Sequence, residues 1–233
     1  YRKDISPWVL GYIIGVEWES SLVVYTNEKS GDKNVYSGKY LYTEEATAFE
    51  AFLCQVGDKM IEYESGRYKQ QRLVAFSNWP TTDPFVYPVV VTSYRYKIAC
   101  VDVEHIKARE EFQAGMFASY HVYPYFPDYL EIMREGSRYS EAMIDERLGE
   151  VIRKNLEYHT SLLKGARTED YLTDKDYYDS RGRYNTYAAY LKALNRYHTI
   201  PVVISEYGVT TGRGMAQRDV NTGRNQGHMT EQE

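Results

Sequence analysis

"VVISEYG" (202–208) is the stretch on which the fold turns. Val202 to Ser205 carry no charge, and then Glu206 supplies a carboxylate, with Tyr207 and Gly208 behind it. Val and Ile in a short run bounded by turn residues are the composition of a buried strand. A charge at the end of such a strand is costly unless it has a partner or a task. The apolar run "WVLGYIIGV" (8–16) repeats the pattern, because it reads as a buried strand and ends in "EWES", which places Glu17 where the strand runs out. "RLVAFSNWPTTDP" (72–84) and "AGMFASYHVYPYFP" (114–127) add two strands, the first ending in the polar "SNWPTTD" and the second near His121.

Helical patterns separate these strands. In 43–64, Phe49, Phe52, Leu53, Val56, Met60 and Ile61 recur at helical spacing. Thr43 is the N-cap candidate, with Glu44 and Glu45 in the first turn, and Gly66 fits the stop. A helix is predicted over roughly 139–164, on the stripe Met143, Ile144, Leu148, Val151, Ile152 and Leu156, and another over 185–197. Asn27, Gly31, Asp32, Asn34 and Gly38 predict a polar loop before the first helix. Within 85–111, "PVVVTSY" reads as a strand and "VEHIKAREEF" as helical. Residues 165–184 read as a tyrosine-rich loop, and 208–228 as a tail rich in Gly, Arg and Asn.

Buried strands alternating with helices imply an α/β fold with a parallel sheet. "GVTTGRG" (208–214) lacks the Gly and Lys placement of a phosphate loop, so a (β/α)8 TIM barrel is favoured over an open doubly wound sheet. The chain opens at Tyr1 and stops in "NQGHMTEQE", and it is expected to be a piece of a longer protein. Residues 1–233 then make a single (β/α)-barrel catalytic domain, incomplete in this chain.

The formal net charge of −5 argues against a nucleic-acid partner, which rewards basic surfaces. No apolar run reaches the length of a membrane-spanning helix. Cys54 and Cys100 lack metal-type spacing, and no disulfide is expected between them. The histidines at 105, 121, 159, 198 and 228 are scattered without ligand spacing, so no metal and no cofactor are expected. Arg213, Arg218 and Arg224 read as a solvated loop. The unusual count is 25 tyrosines, whose flat apolar faces and polar tips suit ring-shaped polar ligands as well as an aromatic core.

A barrel carries function at the carboxyl ends of its strands. Glu17; Asn78, Trp79 and Asp83; Tyr120, His121 and Tyr123; and Glu206 with Tyr207 would all stand on that rim. Two carboxyl groups about 5 Å apart are what retaining glycoside hydrolysis requires. One protonates the leaving oxygen and the other attacks the anomeric carbon, and their environments must hold them in different protonation states. Tyr123 and His121 are the candidate hydrogen-bond donors, and Trp18, Trp79, Tyr120, Tyr125 and Tyr207 the candidate stacking platforms. The plain alternatives are an arginine partner for Glu206, a solvated loop start at Glu17, a satisfied core histidine at 121, and a turn held by Pro80 and Asp83.

"GVEWE", "HVYPY" and "ISEYG" together resemble the clan of retaining glycoside hydrolases built on (β/α) barrels, clan A, over about residues 5–228. In that clan the acid/base glutamate ends the fourth strand, the nucleophile ends the seventh, and a His-x-Tyr recurs on the sixth. The resemblance implies Glu17 as acid/base, Glu206 as nucleophile, His121 and Tyr123 on the sixth strand, and "SNWPTTDP" on the fifth. It also implies that strands four to seven are here and that the missing strands come from the rest of the full-length chain. Where the clan has Asn before its acid/base glutamate this chain has Val16, with Asn78 as the stand-in candidate. The expected substrate is a β-linked oligo- or polysaccharide, and the expected setting is secreted or at the cell envelope. A catalytically inactive glycan-binding barrel and a transglycosidase are the alternative functions. An aldolase-like Schiff base is disfavoured, since no lysine ends any of the four strands.

Overall fold

The computed structural model describes residues 3–88, 97–123, 130, 150, 154–155, 157–208, 217–218 and 225–226. The fold is mixed α/β. Its centre is a parallel sheet of four strands in the order β1–β3–β6–β8: Gly11–Ile14, Leu73–Asn78, Met116–His121 and Val202–Glu206. The four strands expected within 8–16, 72–84, 114–127 and "IPVVISE" (200–206) all form, each shorter than its stretch. Short strands β2 (Leu41–Thr43) and β5 (Ile106–Ala108) pair antiparallel, and β4 (Phe85–Val86) pairs with β7 (Ala166–Arg167).

Two helices before β3 differ from the sequence reading. α1 spans Ser20–Lys29, within the stretch expected to be loop. α2 spans Ala48–Arg67 and is capped by Thr47, not Thr43. The Thr47 side chain accepts from the Glu50 amide while Glu50 Oε2 accepts from the Thr47 amide at 2.7 Å, a reciprocal capping box. Thr43 ends β2, and Glu45 turns the chain with φ 54°. The helix runs through Gly66 and ends one residue later. Of the expected stripe, Phe49, Leu53 and Ile61 are buried, whereas Phe52 and Val56 face outward. The discrepancy has a polar cause: Glu50, Asp58 and Glu64 take inward positions and spend their oxygens on backbone and side-chain donors.

"VEHIKAREEF" is not helical. It forms a single 3₁₀ turn at Val103–His105, capped by Asp102, and then β5. The helix α3 (Thr186–Tyr197) forms as expected, with Asn185 as N-cap, its side-chain oxygen accepting from the Ala188 amide at 2.9 Å. Of the predicted 139–164 helix, residues 150, 154–155 and 157–162 are helical, and its stripe at 143–156 lies outside the described residues, as do 89–94 of "PVVVTSY". In the tail, Gln217–Arg218 and Asn225–Gln226 pair antiparallel, where the sequence suggested loop.

Side chains alternate across the sheet. Val74, Phe76, Met116, Ala118 and Tyr120 point to the helix side and join Phe49, Leu53, Ala189, Tyr190 and Leu194 in one core. The contact is close: a Cβ on Gly57 of α2 would stand 2.8 Å from the Phe76 ring. Gly11, Ile13, Leu73, Ala75, Ser77, Phe117, Ser119, His121 and Val203 share the opposite face by register. There Ile13, Leu73 and Val203 are 45%, 40% and 42% exposed, and β1 and β8 are the sheet edges. Among the described residues no helix is long and apolar enough to cross a membrane.

Candidate active site

The carboxyl ends of β1, β6 and β8 meet in one cluster. His121 ends β6, and its Nδ1 stands 3.3 Å from Glu17 Oε1 and 3.2 Å from Glu206 Oε2. One oxygen of each carboxylate and a ring nitrogen of His121 all lie within 4.8 Å of one another. Tyr123 donates its hydroxyl proton to the other oxygen of Glu206. The two glutamates are partly exposed, and the histidine between them is nearly buried.

The strands dictate this convergence. The register between β6 and β8 shifts by one residue: Tyr120 pairs with Ile204, but His121 pairs with Glu206. Such an extra residue re-aims the side chain that follows it. Strict alternation from Val203, beside Ser119, would put Ser205 opposite His121; the shift puts Glu206 there. Ser205 is instead tied back, its hydroxyl 2.7 Å from that of Ser119 and donating to the Tyr120 carbonyl at 3.3 Å. His121 Nδ1 thus lies within reach of one oxygen of each glutamate and links the two.

Glu17 lies three residues beyond β1 and is held through its neighbours. Trp18 donates its indole N–H to the Ser77 carbonyl at 2.7 Å, and Trp79 donates its own to the Trp18 carbonyl at 2.8 Å. The Trp18 ring also meets Phe49 edge-on at 5.4 Å. Trp18 is thus a strut between β1, β3 and α2, whereas the sequence placed it among stacking platforms. Trp79 is half-buried beside it, and Tyr207 is exposed next to Glu206. Tyr125 lies outside the described residues.

Three expected substrate contacts sit on the helix side of the sheet or beneath the rim. Asn78 is buried; its amide donates to the Val101 carbonyl, and its oxygen accepts from the Trp79 amide and the Thr82 hydroxyl, each at 2.8 Å. Buried and bonded into the fold, it does not stand in for the asparagine that Val16 replaces. Asp83 is fully buried and accepts from Tyr190 at 2.6 Å, Tyr87 at 2.9 Å and the Phe85 amide at 3.1 Å. Lys97, itself buried, completes an ion pair with it at 3.1 Å. Burial pushes the Asp83 carboxyl up, and the Lys97 charge and the phenols pull it back. Tyr120 is fully buried, its hydroxyl 2.8 Å from His198 Nε2. The His198 Nδ1 lies 3.0 Å from Glu104, whose carboxyl burial raises but whose bonds from His198 and Thr199 hold down at about 2.

Sequence reasoning missed Ser77. Its carbonyl anchors Trp18, and its hydroxyl stands 3.5 Å from His121 Nε2. The signal was available in the parity of "LVAFSN", which turns Ser77 away from the core-facing Phe76 and Asn78. The sequence also gave no hint of a metal-binding set. Glu17, His121 and Glu206 nevertheless offer three donors at a spacing that a divalent cation accepts. Cys54 and Cys100 are free and buried, and burial raises their thiols to about 12 and about 11.

No family model matches the chain, and searches of curated proteins and of solved structures return no match either.

Proposed function

We propose that this chain carries the catalytic rim of a retaining glycoside hydrolase acting on a β-linked oligo- or polysaccharide. The observation that carries the reading is the approach of Glu17 and Glu206 within 4.8 Å around His121, with Tyr123 bonded to Glu206. That spacing suits double displacement, whereas inversion needs roughly 6.5–9.5 Å between the carboxyl groups to admit a water. Glu206 attacks the anomeric carbon and forms a glycosyl ester, while Glu17 gives its proton to the departing oxygen. Glu17 then takes a proton from water, which attacks the ester, releases the sugar and frees Glu206. The Tyr123 hydroxyl and the His121 ring orient Glu206 for in-line attack and share its charge before the bond forms.

The barrel belongs to the same proposal. All-parallel sheets are normally covered on both faces. Here one face is covered by α2 and α3, and the other exposes Ile13, Leu73 and Val203, with β1 and β8 unpaired on their outer sides among the described residues. Further strands of the full-length polypeptide flanking β1 and β8 would bury that face and wall the rim.

The test is a 2-deoxy-2-fluoro aryl glycoside panel with intact-mass analysis. A single glycosyl adduct mapping to Glu206, lost in Glu206→Gln, is the expected result. Hydrolysis is also expected to survive EDTA, since double displacement by two carboxyl groups needs no metal. Glycan binding with no turnover on any aryl glycoside would favour the inactive barrel. Val16 and the buried Asn78 are the observations on that side. Sugar transfer to added acceptor would mark a transglycosidase.

A further inference from the structure

We infer that Gly15 and Trp18 are positioning residues that aim Glu17 at His121 and Glu206. Glu17 has no regular element of its own; β1 ends at Ile14 and α1 begins at Ser20. The short connection is pinned on both sides of it. Gly15 has φ +88°, a conformation that a side chain strains. The benzo edge of Trp18 lies directly over it: a Cβ at Gly15 would fall 2.0 and 2.1 Å from Cζ2 and Cη2 of that ring. No real contact is that short, so any side chain at 15 must drive the indole away.

The indole cannot leave without cost. Its N–H is committed to Ser77, its edge to Phe49, and its backbone carbonyl to the Trp79 indole. Beyond it, Ser20 donates to the Thr81 carbonyl at 2.9 Å. Val16 and Glu17 are therefore the crest of a loop whose two feet are fixed. The foot at Trp18 is fixed to the same serine whose hydroxyl faces His121 Nε2. One residue of β3 thus sets both Glu17 and the histidine that it must meet. This makes the absent side chain at 15 a requirement for the geometry of the proposed acid/base.

Two measurements on the full-length protein test this. The first is a crystal structure of Gly15→Ala. Loss of the 3.3 Å contact from Glu17 to His121, with the Tyr123–Glu206 bond kept, is expected. An unmoved Glu17 would overturn the inference. The second rests on the hydrolase reading and uses kcat/KM for 2,4-dinitrophenyl and phenyl β-glycosides. The dinitrophenolate leaves without a proton, and phenolate departs faster with one. The rate ratio between them should rise at least about tenfold in Gly15→Ala, out of the roughly 10²–10⁴-fold that a general acid supplies. A purely structural defect would lower both rates together, and that result would overturn the positioning role. Wild-type protein that turns over neither substrate would sink the hydrolase reading, and the crystal structure alone would then decide the inference. If Gly15→Ala does not fold, Trp18→Phe removes the bond to Ser77 and should shift both readouts in the same direction.

Discussion

Two sets of carboxylates occupy this molecule and do opposite things. Asp83, five residues past the end of β3 within a polar turn, is the better buried and better bonded of the candidates, and its oxygens are consumed by Lys97, Tyr87, Tyr190 and a backbone amide. Glu17 and Glu206 are partly exposed, share one histidine and face open solvent. Both kinds follow an apolar run that reads as a buried strand, and in the sequence they looked alike; only the strand before Asp83 is mostly buried, whereas β1 and β8 are partly exposed. The difference is what each carboxylate has left to offer: Asp83 holds two layers together, while the glutamates retain lone pairs that a ligand can reach.

Carboxylate-to-amide substitutions should separate the two sets. Asp83→Asn leaves the Lys97 ammonium buried without its counter-charge, and breaking a buried pair costs about 3–5 kcal/mol. Urea denaturation should show the midpoint falling accordingly, and a loss below about 1 kcal/mol would break the distinction. Thr47→Ala comes next, because removing the N-cap of α2 costs about 1 kcal/mol. Glu206→Gln should change stability by less than about 0.5 kcal/mol, as exposed substitutions usually do, yet remove glycoside turnover.

The two partly buried histidine–glutamate pairs predict opposite pH limbs. Glu104 is held at about 2, below its ordinary 4.5, so its contribution is present above 4.5 and lost as pH falls toward 2. Glu104→Gln should flatten that acid limb. His105 is raised from 6.5 chiefly by its bond to Glu50, so its contribution is complete below 6.5 and lost as pH rises through the folded value. His105→Gln should therefore reduce stability at pH 5 more than at pH 9, in thermal melts at matched ionic strength.

Strand existence was legible because short Val- and Ile-rich runs between turn residues have one economical reading, and all four central strands came out in place. The helix α3 also formed within the predicted 185–197, with Asn185 as its cap. α1 was not legible: "SSLVVYTNEK" carries an uncapped start and a weak apolar stripe, and it is helical because Val23 packs into the core and Phe49 of α2 donates its amide to Asn27. The N-cap of α2 was missed although Thr47 and Glu50 carry the S/T-x-x-E pattern, since the acidic pair at 44–45 offered a competing start.

The sequence by itself determined which residues end the strands, and so that Glu17, His121, Tyr123 and Glu206 would lie at the carboxyl end of a parallel sheet. Periodicity and turn chemistry are local, and they suffice for that. Only the tertiary structure decided which of those residues keep a free face. The one-residue shift between β6 and β8 brings Glu206 beside His121, the Trp18 strut holds Glu17 above them, and burial withdraws Asn78, Asp83 and Tyr120 into the fold. Each of these depends on groups far apart in the chain, whose hydrogen bonds and packing form only when the layers meet.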